Sequence, residues 1–197
     1  PRSTSFKNLI GCLFDYLRMN SKTMLITGGA GFIGINSAQY FLERGWEILL
    51  LDNFTRSGAT KNVEWLKESY QFEVVKEDLR SREVITDLVE RKRPSVILHL
   101  AAQVAVTTSV ESPIEDFEVN AHGTLNLLEA VRNHSPETFF IYASTNKVYG
   151  HLSGIKIRED KTRYEYARLP HGVDESFGLD FYSPYGCSKG AADQYVV

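Results

Sequence analysis

Met24-Leu-Ile-Thr-Gly-Gly-Ala-Gly-Phe-Ile-Gly34 decides the fold. It reads as a short apolar strand, a glycine-rich turn and the start of a helix. The glycines at 28, 31 and 34 have the spacing G-x-x-G-x-x-G. Gly28 permits the tight turn, Gly31 lets backbone N–H groups approach a pyrophosphate, and Gly34 lets helix and strand pack closely. The helix N-terminus adds partial positive charge for the phosphates. Glycine spacing alone is a weak signal, because many turns are glycine-rich. Here the flanks supply the required context. Ile33, Ser37, Tyr40 and Phe41 continue as a helix, Gly45 ends it, and Glu47-Ile-Leu-Leu-Leu-Asp52 is a second strand. The prediction is a dinucleotide-binding α/β fold.

Asp52 closes that second strand, 18 residues after Gly34. An acidic group at this point hydrogen-bonds the adenosine ribose hydroxyls and repels a 2′-phosphate. It therefore favours NAD over NADP, with Arg56 nearby as the counterweight. A turn-capping aspartate is the structural alternative.

Alternation continues outward to about residue 143. Phe72 to Lys76 reads as a third strand ending at Asp78-Leu79-Arg80. Val84, Ile85, Leu88 and Val89 form the buried face of the next helix. Ser95 to Leu100 is a fourth strand running into Ala101-Ala102-Gln103. One long helix is then expected, with Phe117, Leu125, Leu127, Leu128 and Val131 among its apolar positions, before a fifth strand at Phe139-Phe-Ile-Tyr-Ala143. Such alternation predicts a doubly wound parallel sheet with helices on both faces, the Rossmann class. Ligands bind beyond the carboxyl ends of such strands, where Asp52, Asp78, Ala101 to Gln103 and Ser144-Thr145 fall. From 150 to 182 the sequence is polar, charged and glycine-containing, including Arg158-Glu-Asp-Lys-Thr-Arg163. This segment is expected as a long excursion, either a substrate-facing lid or a solvated loop.

Ser183-Pro-Tyr-Gly-Cys-Ser-Lys189 carries the chemistry. Ser183 is a good N-cap and Pro184 suits the first helical position. Tyr185 and Lys189 then share one helix face, one turn apart. A phenol ionises near pH ~10, and a neighbouring ammonium lowers that value. Tyr185 thereby becomes a usable general base. A surface pair that merely falls on one face is the bland alternative. Thr145, directly after the fifth strand, offers a hydroxyl that could hold a substrate alcohol beside Tyr185. Lys189 would also bond the nicotinamide ribose. Cys187, between the pair, reads as a small helix-packing residue rather than a nucleophile.

Composition bounds the rest. The 197 residues are 43% hydrophobic and 24% charged, ordinary for a globular domain. A net charge of −3 gives no electrostatic footprint for nucleic acid, and no basic run suggests an anionic membrane surface. Cys12 and Cys187 make no disulfide framework, consistent with a cytoplasmic protein, and the scattered histidines have no ligand spacing, so no metal is expected. Phe6, Leu9, Ile10, Leu13, Phe14 and Leu17 recur at helical spacing. Residues 1–23 are thus expected as an extension, either a docked helix or a segment foreign to the native fold with Met19 or Met24 near the true start. Residues 24–197 are expected as the dinucleotide-binding domain, truncated at its C-terminal end because the chain stops eight residues after Lys189.

Taken together, Thr27 to Gly34, Asp52-Asn53, Asp78-Leu79, His99-Leu-Ala-Ala102, Asn120-Ala-His-Gly-Thr124 and Tyr185 with Lys189 resemble the extended short-chain dehydrogenase/reductase superfamily. More narrowly they resemble its nucleotide-sugar epimerases and dehydratases. Ser144-Thr-Asn-Lys-Val-Tyr-Gly150, Ser183 to Tyr195, Val104 to Ser109 and Gly172 to Ser176 look most like the CDP-paratose 2-epimerase (CDP-tyvelose epimerase) subfamily. The resemblance assigns Thr145, Tyr185 and Lys189 to catalysis and Asn146 to substrate. It places Gly28, Gly31, Phe32, Ile33 and Gly34 at the pyrophosphate, and Asp52, Asn53 and Ser57 near the adenosine ribose. Asp78 and Leu79 fall beside adenine, Ala101, Ala102 and Gln103 line the dinucleotide, and Asn120 supports that wall.

What it implies is a retained NAD, oxidation of a CDP-sugar at C2, and return of hydride to the other face. It also implies a homo-oligomer and a role in lipopolysaccharide O-antigen assembly. A UDP-hexose 4-epimerase, a 4,6-dehydratase and a non-enzymatic NAD sensor are the competing readings. Dehydratases of this superfamily place an acidic pair where this chain has Asn146 and Lys147, and a pure sensor needs no positioned base.

Overall fold

The computed structural model of the chain describes residues 22–197. The apolar stripe from Phe6 to Leu17, Cys12 and Met19 lie outside the described residues. In chain order the first elements are β1 (Thr23–Thr27), α1 (Phe32–Leu42), β2 (Glu47–Asp52), α2 (Ala59–Lys67), β3 (Glu73–Lys76), α3 (Arg82–Lys92) and β4 (Val96–His99). There follow α4 (Val106–Glu111), α5 (Pro113–Phe117), a π-helical turn (Glu118–His122), α6 (Gly123–His134) and β5 (Phe139–Tyr142). The last elements are a 3₁₀ turn (Asn146–Tyr149), β6 (Ile157–Glu159), β7 (Tyr164–Tyr166) and α7 (Pro184–Val196). These form two compact units. The first contains 22–102 and Gly123–Ala143, and the second contains Gln103–His122 and Ser144–Val197.

The first unit is a Rossmann-type α/β fold. Its five strands have the order β3-β2-β1-β4-β5 and pair in parallel throughout. Successive strand residues point to opposite faces, and the register exploits this. Ile26 lies opposite Leu50 and Leu98, while Leu25 lies opposite Leu49 and Ile97. Met24, Ile26, Ile48, Leu50 and Val96 bury one face against Ile35 and Ala38 of α1 and Ala59, Val63 and Leu66 of α2. Leu25, Leu49, Leu51 and Ile97 bury the other against Ile85, Leu88 and Val89 of α3 and Leu127, Ala130 and Val131 of α6. Each fully buried aliphatic side chain contributes about 1.5–3 kcal/mol, so both faces of the central strands, packed on their helices, form the core. The chain steps outward from β1 to β3 and then returns to β4. The order therefore reverses between β1 and β4, where such sheets open a crevice beyond their carboxyl ends.

Three expectations are corrected. Val84 is 41% exposed and leaves the buried face of α3 to Ile85, Leu88 and Val89. The single long helix after Gln103 is broken into α4, α5, the π turn and α6. Pro113 starts α5, and the residue before it, Ser112, is non-helical at φ −135° and ψ 73°, because proline's ring disfavours a helical predecessor. Phe117 is accordingly 55% exposed rather than part of a continuous apolar stripe. The segment 150–182 is mostly exposed, as read, but holds an antiparallel hairpin of β6 and β7. Arg158 and Arg163 of the charged run both reach Glu165, at 2.9 and 2.7 Å.

The start of α7 is as the sequence predicts. Ser183 Oγ accepts the Gly186 N–H at 3.1 Å and Pro184 takes the first helical position. Among the described residues no helix is long and apolar enough to cross a membrane.

Candidate active site

The first unit builds a cradle at the carboxyl ends of its strands. Gly28 has φ +66°, and a Cβ there would lie 2.8 Å from Ala101 N. A Cβ on Gly34 would strike Gly28 O and lie 2.7 Å from Gly29 Cα. Gly29, which the sequence reading passed over, is as constrained, with Leu50 Cδ2 2.7 Å from its would-be Cβ. Gly31 is the extended N-cap of α1 and donates its own N–H to Gly28 O at 3.1 Å. No side chain caps α1. The N–H groups of Phe32, Ile33 and Gly34 at this helix start have no partner within the helix, which is the arrangement that suits a phosphate. Phe32 and Ile33 are 80% and 64% exposed.

Asp52 holds this loop in place. Its Oδ2 accepts the Ala30 N–H at 3.0 Å and its Oδ1 accepts the Phe54 N–H at 2.8 Å. Asn62, a further residue missed in the sequence, donates from Nδ2 to Ala30 O at 2.8 Å. Asn53 Nδ2 donates to Asp78 Oδ2 at 2.9 Å. Asp78 also receives Arg80 Nε and Nη2 at 2.9 and 3.0 Å. This hydrogen bonding to the guanidinium holds the Asp78 carboxyl down to about 2, against the opposing effect of partial burial. Leu79 is buried and its carbonyl accepts Asn126 Nδ2 at 3.1 Å. Ser57 is exposed in the turn before α2.

Ala101 and Ala102 follow β4, and the Ala101 N–H donates to Thr27 Oγ1 at 3.2 Å. Thr27 Oγ1 is also 2.6 Å from His99 Nδ1, and His99 Nε2 is 2.8 Å from Thr124 Oγ1. All three side chains are buried. This chain of polar groups ties β1, β4 and α6 together beside the glycine turn.

The second unit carries the Tyr185–Lys189 pair. Tyr185 and Lys189 are 8% and 4% exposed, one turn apart on α7. The Tyr185 N–H donates to Ser109 Oγ at 3.1 Å. Burial pushes the Lys189 ammonium down to about 8, with the Asp193 and Asp116 carboxylates pulling the other way. Thr145 caps the 3₁₀ turn, its Oγ1 accepting the Lys147 N–H at 3.3 Å. That turn packs on α7, close enough that a Cβ on Gly186 would lie 3.1 Å from Lys147 O. Thr145 is half-buried and Asn146 exposed. Gln103 and Asn120 are joined, the Gln103 N–H donating to Asn120 Oδ1 at 2.8 Å and Asn120 Nδ2 to Gln103 O at 3.1 Å. Cys187 is exposed, not packed as expected, because its helix position turns away from the buried side that holds Tyr185 and Lys189.

A glycine cradle at a strand-order reversal and a buried tyrosine–lysine pair agree with the match of residues 25–197 to the family described as GDP-mannose 4,6 dehydratase. The chain belongs to this family. Within it stand nucleotide-sugar epimerases as well as dehydratases. CDP-paratose 2-epimerase of Salmonella typhi is 51% identical over 174 residues, which cover 88% of this chain and 52% of that protein. The UDP-Glc/GlcNAc 4-epimerase of Campylobacter jejuni superposes with a TM-score of 0.74 at 29% identity, covering 90% of this chain and 48% of that one. UDP-glucose 4-epimerase of Thermus thermophilus, solved in complex with NAD, gives 0.70 at 34% identity, covering 88% of this chain and 49% of that one. The chain spans about half the length of the curated relatives it matches.

The sequence carries no sign of the partners that two buried polar groups, His99 and Asp116, bond. His99 stands in a motif of the family resemblance without metal-ligand spacing; a histidine inside an apolar strand must find buried partners, and Thr27 and Thr124 supply them. Asp116 is 1% exposed on α5, bonded to Gln103, Asn120 and Ser188. Its signal was faint, one acidic residue in a stretch read as a continuous amphipathic helix.

Proposed function

We propose that the full-length protein containing this chain is an NAD-dependent nucleotide-sugar epimerase that interconverts CDP-paratose and CDP-tyvelose at C2 of the sugar. The observation that carries the reading is the buried Tyr185–Lys189 pair on α7. It is supported by the 51% identity to CDP-paratose 2-epimerase.

The cradle residues fit NAD. Side-chain atoms at Gly28 or Gly34 would fill the turn, and the uncapped start of α1 offers N–H groups for a pyrophosphate. Gly28, Gly31, Phe32, Ile33 and Gly34 would hold the phosphates. Asp52, Asn53 and Ser57 would take the adenosine ribose, Asp78 and Leu79 the adenine, and Ala101, Ala102, Gln103 and Asn120 the remaining wall. Asp52 spends one lone pair of each oxygen on the Ala30 and Phe54 N–H groups, and each oxygen keeps capacity to accept from a hydroxyl. When bound, NAD supplies reversible hydride acceptance at the sugar carbon.

In this reading Tyr185 takes the proton of the sugar hydroxyl, and Thr145 holds that hydroxyl by hydrogen bonding. Lys189 keeps the phenolate stabilised. With its ammonium pushed down only to about 8, Lys189 is still mainly charged at neutral pH. Asn146 contacts the sugar. Asn146 and Lys147 offer no acid to expel water, which favours epimerisation over dehydration. A cytoplasmic setting, self-association and a place in O-antigen assembly follow from the resemblance alone.

The test is to incubate the full-length protein with CDP-paratose and follow the sugar by proton NMR. A mixture with CDP-tyvelose, formed without added NAD and without net NADH, is the expected result. The likeness to the two UDP-sugar 4-epimerases supports a second reading, 4-epimerisation of UDP-hexoses. Unchanged CDP-paratose alongside interconversion of UDP-glucose and UDP-galactose would establish that reading in place of the first.

A further inference from the structure

Asp116 is a buried carboxylate beneath the helix that carries Tyr185 and Lys189. Its Oδ1 accepts Gln103 Nε2 at 2.9 Å and Asn120 Nδ2 at 3.2 Å, and its Oδ2 accepts the Ser188 hydroxyl. Asn120 Nδ2 also reaches Ser188 Oγ at 3.0 Å. A carboxylate is acceptor-only when ionised, and here three donors from three different parts of the second unit converge on it. Burying such a charge costs several kcal/mol before compensation, and a well-packed apolar residue is often the more stable choice. Ser188, the link to α7, sits next to Lys189 in the chain and one turn from Tyr185. Asp116 therefore grips α7 at the turn that holds both.

We propose that Asp116 is a positioning residue for the Tyr185–Lys189 couple: through Ser188 it fixes that turn of α7, and with Asp193 it supplies negative charge towards the buried Lys189 ammonium. This rests on the reading of Tyr185 and Lys189 as the proton-transfer pair. Burial lowers Lys189 to about 8, and Asp193 and Asp116 are the carboxylates that oppose the fall. Asp193 belongs to α7 itself. The elements packed against α7 bring Glu111, Glu115, Asp116, Glu118, His122, Lys147 and Tyr149. Of these, only Asp116 is buried. Holding the couple still matters because misplacing a reacting group by about 1 Å can cost on the order of 100-fold in rate.

Two substitutions separate charge from grip. In Asp116→Asn the remaining carbonyl oxygen keeps the Gln103 and Asn120 bonds. Its amide can donate to Ser188 Oγ, whose own proton can turn to Tyr185 O, now 3.2 Å away. The charge is lost and the packing kept. Ser188→Ala does the reverse. The measurement is a 13C NMR titration of lysine Cε in the full-length protein, with Lys189 assigned by its absence in Lys189→Met, together with kcat and KM for the nucleotide sugar across pH.

In Asp116→Asn the Lys189 midpoint is expected at lower pH than in the wild type, with the kcat profile moving alongside and KM within about twofold. In Ser188→Ala the folded protein is expected to lose about tenfold or more in kcat with KM little changed. An unmoved Lys189 midpoint in folded Asp116→Asn overturns the proposal, and so does wild-type kcat in Ser188→Ala, which decides the matter alone if Asp116→Asn does not fold. A shifted midpoint in a protein whose wild type converts no nucleotide sugar upholds Asp116 as a counter-charge beside Asp193 and overturns the epimerase reading instead.

Discussion

The Ala30 N–H donates to Asp52 Oδ2 at 3.0 Å, so the carboxylate at the end of β2 fixes the glycine turn after β1 through the protein's own backbone. The same carboxylate holds Phe54 in a left-handed conformation, φ +59°, by accepting its N–H at 2.8 Å. Asp52→Ala strips both donors of their partner. The expected cost is about 1–3 kcal/mol of stability in the cofactor-free protein, together with loss of NAD affinity. Thermal unfolding of the NAD-free variant checks this. A Tm equal to wild type would mean that Asp52 serves the ribose only.

Gly34→Ala tests the cradle from the steric side. The new methyl would collide with Gly28 O and the Gly29 backbone, which are main chain and cannot swing aside. Relief would require α1 to shift from β1, at about 1–3 kcal/mol. The variant is expected to release no NAD when the purified full-length protein is denatured and the supernatant assayed. Wild-type quantities of released NAD would show that the turn tolerates the shift.

Tyr185→Phe removes the phenol and keeps the ring, whose backbone N–H bond to Ser109 Oγ at 3.1 Å is untouched. Positioned acid–base groups are worth on the order of 10²–10⁴-fold in rate. Turnover is expected to fall by about that factor while bound NAD stays at wild-type levels. Turnover equal to wild type would remove Tyr185 from the mechanism. Loss of NAD without folding damage would give the phenol a binding role instead.

The parallel sheet was legible because its signals are local. An apolar run, a glycine turn and an amphipathic helix follow one another in short order along the chain, and Ile26, Leu50 and Ile85 fall where that rhythm puts them. The Ser183-Pro184 helix start was equally plain, since capping depends on neighbours in sequence. Tertiary pairings were not legible. Nothing near Asp116 in the chain announces Gln103 or Ser188, and nothing near Thr27 announces His99. The break at Pro113 was readable from proline alone and was missed because the flanking apolar spacing suggested one helix. Cys187 was misjudged for a related reason. The register that buries Tyr185 and Lys189 leaves the residue between them outward, and burial rather than residue size decides its role.

Lys189 gives a prediction in which catalysis and stability oppose each other. Its ammonium is pushed from an unperturbed 10.5 to about 8, chiefly by burial, and that value already includes the attraction of Asp193 and Asp116. Below pH 8 both folded and unfolded states carry the proton, and the folded state bears the whole penalty, about 3 kcal/mol for such a shift. Between about pH 8 and 10.5 the unfolded chain binds the proton and the folded one does not, so stability rises with pH through that window. Lys189→Met fills the same space without a charge. It is expected to abolish turnover and to unfold at higher denaturant than wild type at about pH 7, with the difference shrinking as pH is raised towards about 10. Urea unfolding at about pH 7 and about pH 9.5, without NAD, checks the sign. A variant less stable than wild type by the same amount at both pH values would mean that the hydrogen bonds of the ammonium outweigh its burial, and that the protein gives up no stability to keep this lysine.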